Sequence, residues 1–273
     1  MNILEKIIET KKSEIEQRKK EVPVQKLSIY PGFNRKCNSL KTRLLKNGSS
    51  GIIAEFKKKS PSKGEINFNV SAEDVTKSYV EAGAAGLSVL TDLEFFGGKL
   101  EDLIAAREAN PGIPILRKDF IIDEYQIVEA KAFGADVILL IAANLDEKQA
   151  LALAKKAKNL GMEVLMEVHN AKELKKLNDF IDIVGVNNRN LKTFKTSVEI
   201  SAKLAGLIPH RYLKISESGL EKAETIQYLR EKGFRGFLIG ETFMKTKNPG
   251  EACKNVIAEL TAISRMKNEK FKK

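Results

Sequence analysis

Short apolar runs alternate with amphipathic stretches from residue 52 to residue 240, and this alternation limits the fold more than any other property of the chain. The runs are 52–56, 86–90, 113–116, 136–141, 163–167, 181–186, 212–216 and 236–240. Each is too short for a helix and reads as a buried strand. Between them the spacing predicts helices over 72–82, 100–109, 124–133, 147–160, 171–180, 197–205 and 220–232. Gly83, Gly134, Gly161, Gly206 and Gly233 stand where these helices should stop, and Ser71 and Asp146 suit helix starts. Eight strands alternating with helices predict an α/β fold, a (β/α)8 TIM barrel, whose usual size is about 250 residues. A doubly wound sheet is the alternative. It would favour fewer strands and a glycine-rich first turn, and no G-x-G-x-x-G or Walker sequence follows any run.

Residues 1–46 lie outside the repeat. Ile3, Leu4, Ile7, Ile8 and Ile15 mark one face of an amphipathic helix, and Pro23 and Pro31-Gly32 break the chain beyond it. The segment is too short to bury a good core of its own. It is expected to be a helical extension packed on a barrel that occupies 47–273, in one structural domain.

A net charge of +11 raises the question of nucleic acid. The lysines are spread along the expected helices and interleaved with glutamates, as in Glu221-Lys222 and Glu231-Lys232. Only Arg265, Lys267, Lys270, Lys272 and Lys273 cluster, at the tail. A solvated lysine-rich surface and an anionic small-molecule substrate account for this balance; no nucleic-acid partner is expected. No apolar run approaches transmembrane length, so no membrane partner is expected either. The charged N-terminus lacks the apolar core of a signal peptide, and Cys37 and Cys253 are isolated, without metal spacing. These features point to the cytoplasm and to no metal; a monomer is expected, although nothing in the sequence fixes the oligomeric state.

Side chains alternate across a strand, so charged residues of the right parity fall on the face of its apolar neighbours. Glu55 and Lys57 share parity with Ile53. Lys118 follows Pro114 and Leu116, Glu167 follows Leu165, Asn187 and Arg189 follow Gly185, and Glu217 follows Leu213 and Ile215. Any one of these is most simply a rim ion pair or a solvated loop charge. In a barrel, however, all seven converge on the C-terminal mouth, where active sites of this fold lie. Ser216-Glu217-Ser218-Gly219 after the seventh run and Ile239-Gly240-Glu241-Thr242 after the eighth suit phosphate, since these two loops often bind it through backbone N–H groups. Ser60 and Lys63 would face them across the mouth. His169 and His210 form no pair with metal-ligand spacing and carry little signal.

The stretch Glu55-Phe56-Lys57-Lys58-Lys59-Ser60-Pro61-Ser62-Lys63-Gly64 resembles the signature of the indole-3-glycerol-phosphate synthase family. The resemblance runs from the Ile3-Leu4 helix to about Met244. It takes in Ser88-Val89-Leu90-Thr91-Asp92, Phe96-Gly97-Gly98, Leu116-Arg117-Lys118-Asp119-Phe120, Asn187-Asn188-Arg189-Asn190-Leu191 and Ser216-Glu217-Ser218-Gly219, in order. It implies a carboxy-lyase of tryptophan biosynthesis that needs no cofactor. The implied substrate is 1-(2-carboxyphenylamino)-1-deoxyribulose 5-phosphate. By resemblance Lys118 is the general acid, Glu167 the base or proton shuttle, and Lys57 the holder of the substrate carboxylate and a second acid. Glu55 and Glu217 would tune and orient the lysines. Asn187 and Arg189 would position substrate. Ser60, Ser218, Gly219, Gly240 and Glu241, the last through its backbone N–H, would bind at the phosphate end. Phe95, Phe96 and Phe120 are candidates for an aromatic pocket. The sequence departs from the family at Lys59, often a small residue, at Glu241, where serine also occurs, and at Asn190, frequently Asp. A phosphoribosylanthranilate isomerase is the enzyme rival, but it would want a cysteine near the end of the first strand, where this chain has Glu55 and Lys57.

Overall fold

The computed structural model describes residues 3–191 and 193–270. Eight parallel strands close into a barrel: β1 (Ile52–Phe56), β2 (Gly86–Leu90), β3 (Ile115–Lys118), β4 (Val137–Ile141), β5 (Glu163–Val168), β6 (Ile183–Asn187), β7 (Leu213–Glu217) and β8 (Gly236–Ile239). Each strand pairs with its sequence neighbours, and β1 closes the ring on β8 with Ile52 opposite Phe237 and Ala54 opposite Ile239. The expected TIM barrel is therefore the fold.

Some boundaries differ from expectation for local reasons. The third strand begins at Ile115 rather than residue 113, because Pro114 has no N–H to donate to a ladder, and it continues to Lys118. A helix over 171–180 is not formed. Ala171–Lys176 is a short 3-10 turn instead. Asn170 caps its start by accepting the N–H groups of Lys172 and Glu173, but Leu177 is extended and Asn178 accepts the N–H of Phe180, an amide that a longer helix would have used. A small hairpin, Lys59–Ser60 with Gly64–Glu65, and the final helix Pro249–Lys270 were not anticipated.

Burial explains why the strands read as continuous apolar runs. Ile52, Ala54 and Phe56 face the helices, while Ile53 joins Leu116, Leu139, Leu165, Ile183, Ile215 and Leu238 inside the barrel. Both faces of β1 are covered, so both are apolar. Each large side chain buried this way stabilises the fold by roughly 1.5–3 kcal/mol.

The barrel is closed at both ends by chain that precedes β1. At the bottom, the helix Leu40–Leu45 inserts Leu40 and Leu44, both buried. Ser39 caps this helix by accepting the N–H of Thr42, and Glu163 of β5 accepts the N–H of Lys41 at 3.0 Å. Gly86 and Gly236 make the room: a Cβ on Gly86 would lie 2.6 Å from Leu40 Cδ1, and one on Gly236 2.4 Å from Ile215 Cγ2. At the top lies α1 (Ile3–Glu21). Its Lys11 is only 1% exposed, with Nζ 3.0 Å from Asp92, 3.0 Å from Asp119 and 2.8 Å from Glu14. Arg117 of β3 donates to Asp119 and pairs with Glu129, and Arg18 of α1 also pairs with Glu129. Burial works against the charges of Lys11 and Asp119, but their partners outweigh it. Lys11 is held well above the usual lysine range and Asp119 well below the usual carboxylate range.

No helix among the described residues is long and apolar enough to cross a membrane. Of the basic tail, Lys267 pairs with Glu231, while Lys272 and Lys273 lie outside the described residues.

Candidate active site

The inward parity of each strand carries its last residue to the top of the barrel. Lys118 ends β3, Glu167 lies on β5, Asn187 ends β6 and Glu217 ends β7. Glu55 comes from β1, and Lys57 stands just beyond it. All six line one cavity.

At its floor Lys118 Nζ lies 2.8 Å from Glu167 Oε2 and 2.8 Å from Glu217 Oε2. Lys57 Nζ lies 2.9 Å from Glu55 Oε1, and Ser88 donates to Glu55 Oε2 at 3.1 Å. Burial disfavours the charge on Lys118, yet Glu167, Glu217 and Glu55 together push its pKa far above the ordinary lysine range. Burial would raise Glu167, but Lys118 and then His169 reverse this and hold it well below the ordinary carboxylate range. Glu217 differs: burial and the negative charge of Glu167 outweigh Lys118 and push it up to about 7. Among the described residues Glu217 Oε1 has no hydrogen-bond partner. The floor thus combines an ionised carboxylate, a lysine charged at neutral pH and a carboxyl group that titrates near neutrality. A donor and an acceptor of protons stand side by side, which is the requirement of acid–base chemistry.

Two glycines leave space for these carboxylates. A Cβ on Gly185 would sit 2.2 Å from Glu217 Oε1, and one on Gly240 would sit 2.6 Å from Glu55 Oε1. Gly240 therefore does more than shape a turn.

The walls are apolar. Ile3, Leu4 and Ile7 of α1 line the cavity, as do Phe96 and Phe120, whose ring centroids are 5.9 Å apart. Phe95 is not a wall residue. It is buried beside the cavity's edge with Lys6 Nζ 5.8 Å from its ring centroid, and its N–H is taken by Asp92. Adjacent residues of a short helix, Leu93–Phe96, point different ways, so only one of the two phenylalanines could face inward.

At the far end the cavity adjoins a second hollow lined by Lys63, Arg189, Ser218, Gly219, Gly240 and Glu241. Ser218 and Gly219 are both left-handed, with φ of 69° and 71°, which turns the chain sharply after β7. Asn188 holds this turn: it is fully buried and donates to Ser216 Oγ and to the carbonyl of Ser218. Arg189 donates to Ser62 Oγ at 2.6 Å and lies 3.3 Å from Glu241. Asn187 accepts the N–H of Arg189 at 3.0 Å. Ser60 is buried in the hairpin and lines the main cavity.

Sequence reasoning passed over several residues. His169 lies 3.3 Å from Glu167. Its parity, two positions beyond Glu167, was a readable signal. Gly185 was also visible by parity. The α1 wall and Asn188 were not, because their partners are remote in sequence.

The family model for indole-3-glycerol phosphate synthase matches residues 4–256. That span covers α1 from Leu4 onward, every barrel strand and every charged group at the mouth. The chain belongs to the indole-3-glycerol phosphate synthase family. Members of this family are carboxy-lyases of tryptophan biosynthesis. An indole-3-glycerol phosphate synthase of Bacteroides thetaiotaomicron is 49% identical over 258 residues, covering 94% of this chain and 98% of its own. One of Salinibacter ruber is 40% identical, covering 95% of this chain and 96% of its own. Among solved structures, 3-hexulose-6-phosphate synthase from Salmonella typhimurium aligns with a TM-score of 0.59 at 12% identity, over 77% of this chain and 99% of its own. The tryptophan synthase complex of Pyrococcus furiosus contains a chain with a TM-score of 0.55 at 17% identity, over 78% of this chain and 98% of its own. At such identities these two speak for the barrel alone.

Proposed function

We propose that the protein converts 1-(2-carboxyphenylamino)-1-deoxyribulose 5-phosphate into indole-3-glycerol phosphate, with release of CO2 and water. The observation that carries this reading is Lys118 held between Glu167 and Glu217 at 2.8 Å each, beneath an apolar roof and beside a glycine-turn hollow. The apolar walls, with Phe96 and Phe120, suit the aromatic ring. Ser60, Ser218, Gly219, Gly240 and the N–H of Glu241 receive the phosphate at the other end. Lys57 and Arg189 supply positive charge for the carboxylate and the phosphate.

The ring carbon that bears the carboxylate attacks the ketone, and Lys118 protonates the oxygen as negative charge develops on it. Loss of CO2 restores the aromatic ring. The hydroxyl then leaves as water, which needs an acid for the leaving oxygen and a base for the departing proton. Glu167 is the base or shuttle, Lys57 is the second acid, and Glu55 and Glu217 orient the two lysines. Asn187 fixes the backbone at Arg189 and so the approach to the phosphate end. Charge balance is part of the problem: a carboxylate leaves as neutral CO2, so each turnover takes up one proton.

The protein is read as a cytoplasmic monomer acting on a small anion, with no nucleic-acid partner. Interleaved surface lysines and glutamates support this. Indole fluorescence appearing from the carboxyphenylamino-deoxyribulose phosphate tests the activity. A folded protein that binds the substrate without turnover would sink it. Size-exclusion chromatography with light scattering tests the monomer.

A further inference from the structure

The groups that hold Glu167 extend beyond the cavity floor. One oxygen, Oε2, receives Lys118. The other, Oε1, lies 3.3 Å from His169 Nε2. On the opposite side of the imidazole, Nδ1 lies 3.4 Å from Glu173 Oε2. These are ion-pair distances, longer than a well-aligned hydrogen bond, and neither ring nitrogen has a hydrogen-bond partner among the described residues. The ring is largely buried, and two nitrogens facing two carboxylates favour the form in which both carry hydrogen.

The local chain builds this arrangement. Asn170 caps the short turn after β5 by accepting the N–H groups of Lys172 and Glu173. That brings Glu173 back onto the strand end, where it accepts the N–H of His169 at 2.7 Å. Glu173 is thereby fixed beside the ring before the ring meets Glu167. A side groove lined by Leu4, Arg189 and Leu191 also reaches His169 and Glu173.

We propose that His169 is a positioning residue for the reaction, holding Glu167 from the side opposite Lys118 and keeping it an ionised acceptor. This rests on the reading of Glu167 as the group that moves protons. The charged groups around the pair are Lys118 on β3, Glu217 on β7 and Glu173 on the turn. Burial alone would lower the pKa of His169, but Glu167 and Glu173 reverse this and raise it to about 10. The ring is therefore an imidazolium throughout the neutral range. While Lys118 is charged, two cations hold Glu167 ionised. Once Lys118 has given its proton to the ketone oxygen, His169 is the cation left in contact with Glu167. It then keeps Glu167 in place for the dehydration step.

The test is steady-state kinetics across pH for His169→Gln, His169→Lys, Glu173→Gln and Glu167→Gln. His169→Gln removes the cation that holds Glu167 in place and is expected to lower kcat about tenfold with little change in KM, since small misplacements of a reacting group are costly. His169→Lys restores a cation and should recover most of kcat. Glu173→Gln should move the alkaline limb to lower pH, as the imidazolium loses one supporting charge. A kcat within twofold of wild type in His169→Gln overturns the proposal. If that variant fails to fold, an unmoved alkaline limb in Glu173→Gln overturns it instead. Glu167→Gln separates the two readings: if it turns over like wild type, the role of Glu167 is wrong. If it collapses while His169→Gln does not, only the role of His169 is wrong.

Discussion

Two ionic clusters share β3 and differ in what they leave unpaired. Arg117 and Asp119 point outward into the network that joins Lys11, Thr91, Glu129 and Arg18. Lys118, between them in sequence, points into the barrel and meets Glu167 and Glu217. The outer cluster is saturated. Arg117 donates to Thr91, to the carbonyl of Gln126 and to Asp119, and Lys11 has three carboxylates. The inner cluster keeps Glu217 Oε1 without a hydrogen-bond partner among the described residues, and two lysine side chains at a cavity wall. Buried charge is costly unless fully paired. A fold that satisfies one cluster and leaves the next incomplete, one residue away, holds open a place for another charged molecule.

The contrast can be broken most directly at Lys118. Lys118→Ala should lower kcat by about a thousandfold, within the range of lost general-acid catalysis, and the thermal midpoint should fall as well, because Glu167 and Glu217 lose their buried cation. Product fluorescence beside a thermal melt decides it, and turnover within tenfold of wild type would move the acid role to Lys57. Lys11→Met likewise leaves Asp92 and Asp119 short of a buried partner, but touches no charged group at the cavity floor. It should lose about 3 kcal/mol of stability in a denaturant titration and far less of kcat than Lys118→Ala; an unchanged midpoint would show that the outer cluster is not structural.

Gly185→Ala sharpens the comparison within the inner cluster. The added carbon would meet Glu217 Oε1 at 2.2 Å and displace the carboxylate from Lys118. A misplacement on the order of 1 Å should lower kcat by about a hundredfold, and a variant with wild-type kcat would show that Glu217 can relocate freely. The smallest effect is a pH effect on stability. Glu217 is raised from 4.5 to about 7 in the folded chain. Its stabilising contribution is complete below pH 4.5 and is lost as pH rises through about 7. Glu217→Gln should therefore melt a few degrees higher than wild type at pH 8 but not at pH 5, and parallel melting curves at both would refute the raised pKa.

Much of the inner cluster was legible because strands alternate. Reading every second residue from Ile53, Leu116, Leu165 and Ile215 led to Glu55, Lys118, Glu167 and Glu217, and the barrel brings them together. The outer cluster was not legible. Lys11 looked like one more charge on an amphipathic helix, and nothing near it in sequence names Asp92 or Asp119. Phe95 and Phe96 could not be told apart by spacing, since the short helix that orients them was not anticipated. The turn at 171–176 was hidden for a similar reason. Its periodicity suits a helix, but the chain is extended at Leu177 and Asn178 binds the Phe180 amide that would have continued it.

The pairing of β1 with β8 also orders events during synthesis. A ribosome delivers β1 early, and β2 can join it soon afterwards. The other edge of β1 must wait until residues 236–239 have emerged, after every other strand of the barrel. Contacts so distant in sequence form late, and the exposed edge of a waiting strand is a site for misassembly. Glu55 rides on that strand, with Lys57 just beyond it, and its neighbour Gly240 follows β8 directly. A nascent chain can therefore hold most of its barrel while this side of the mouth stays unformed. Stalled or truncated products should be recognisable by a free first strand.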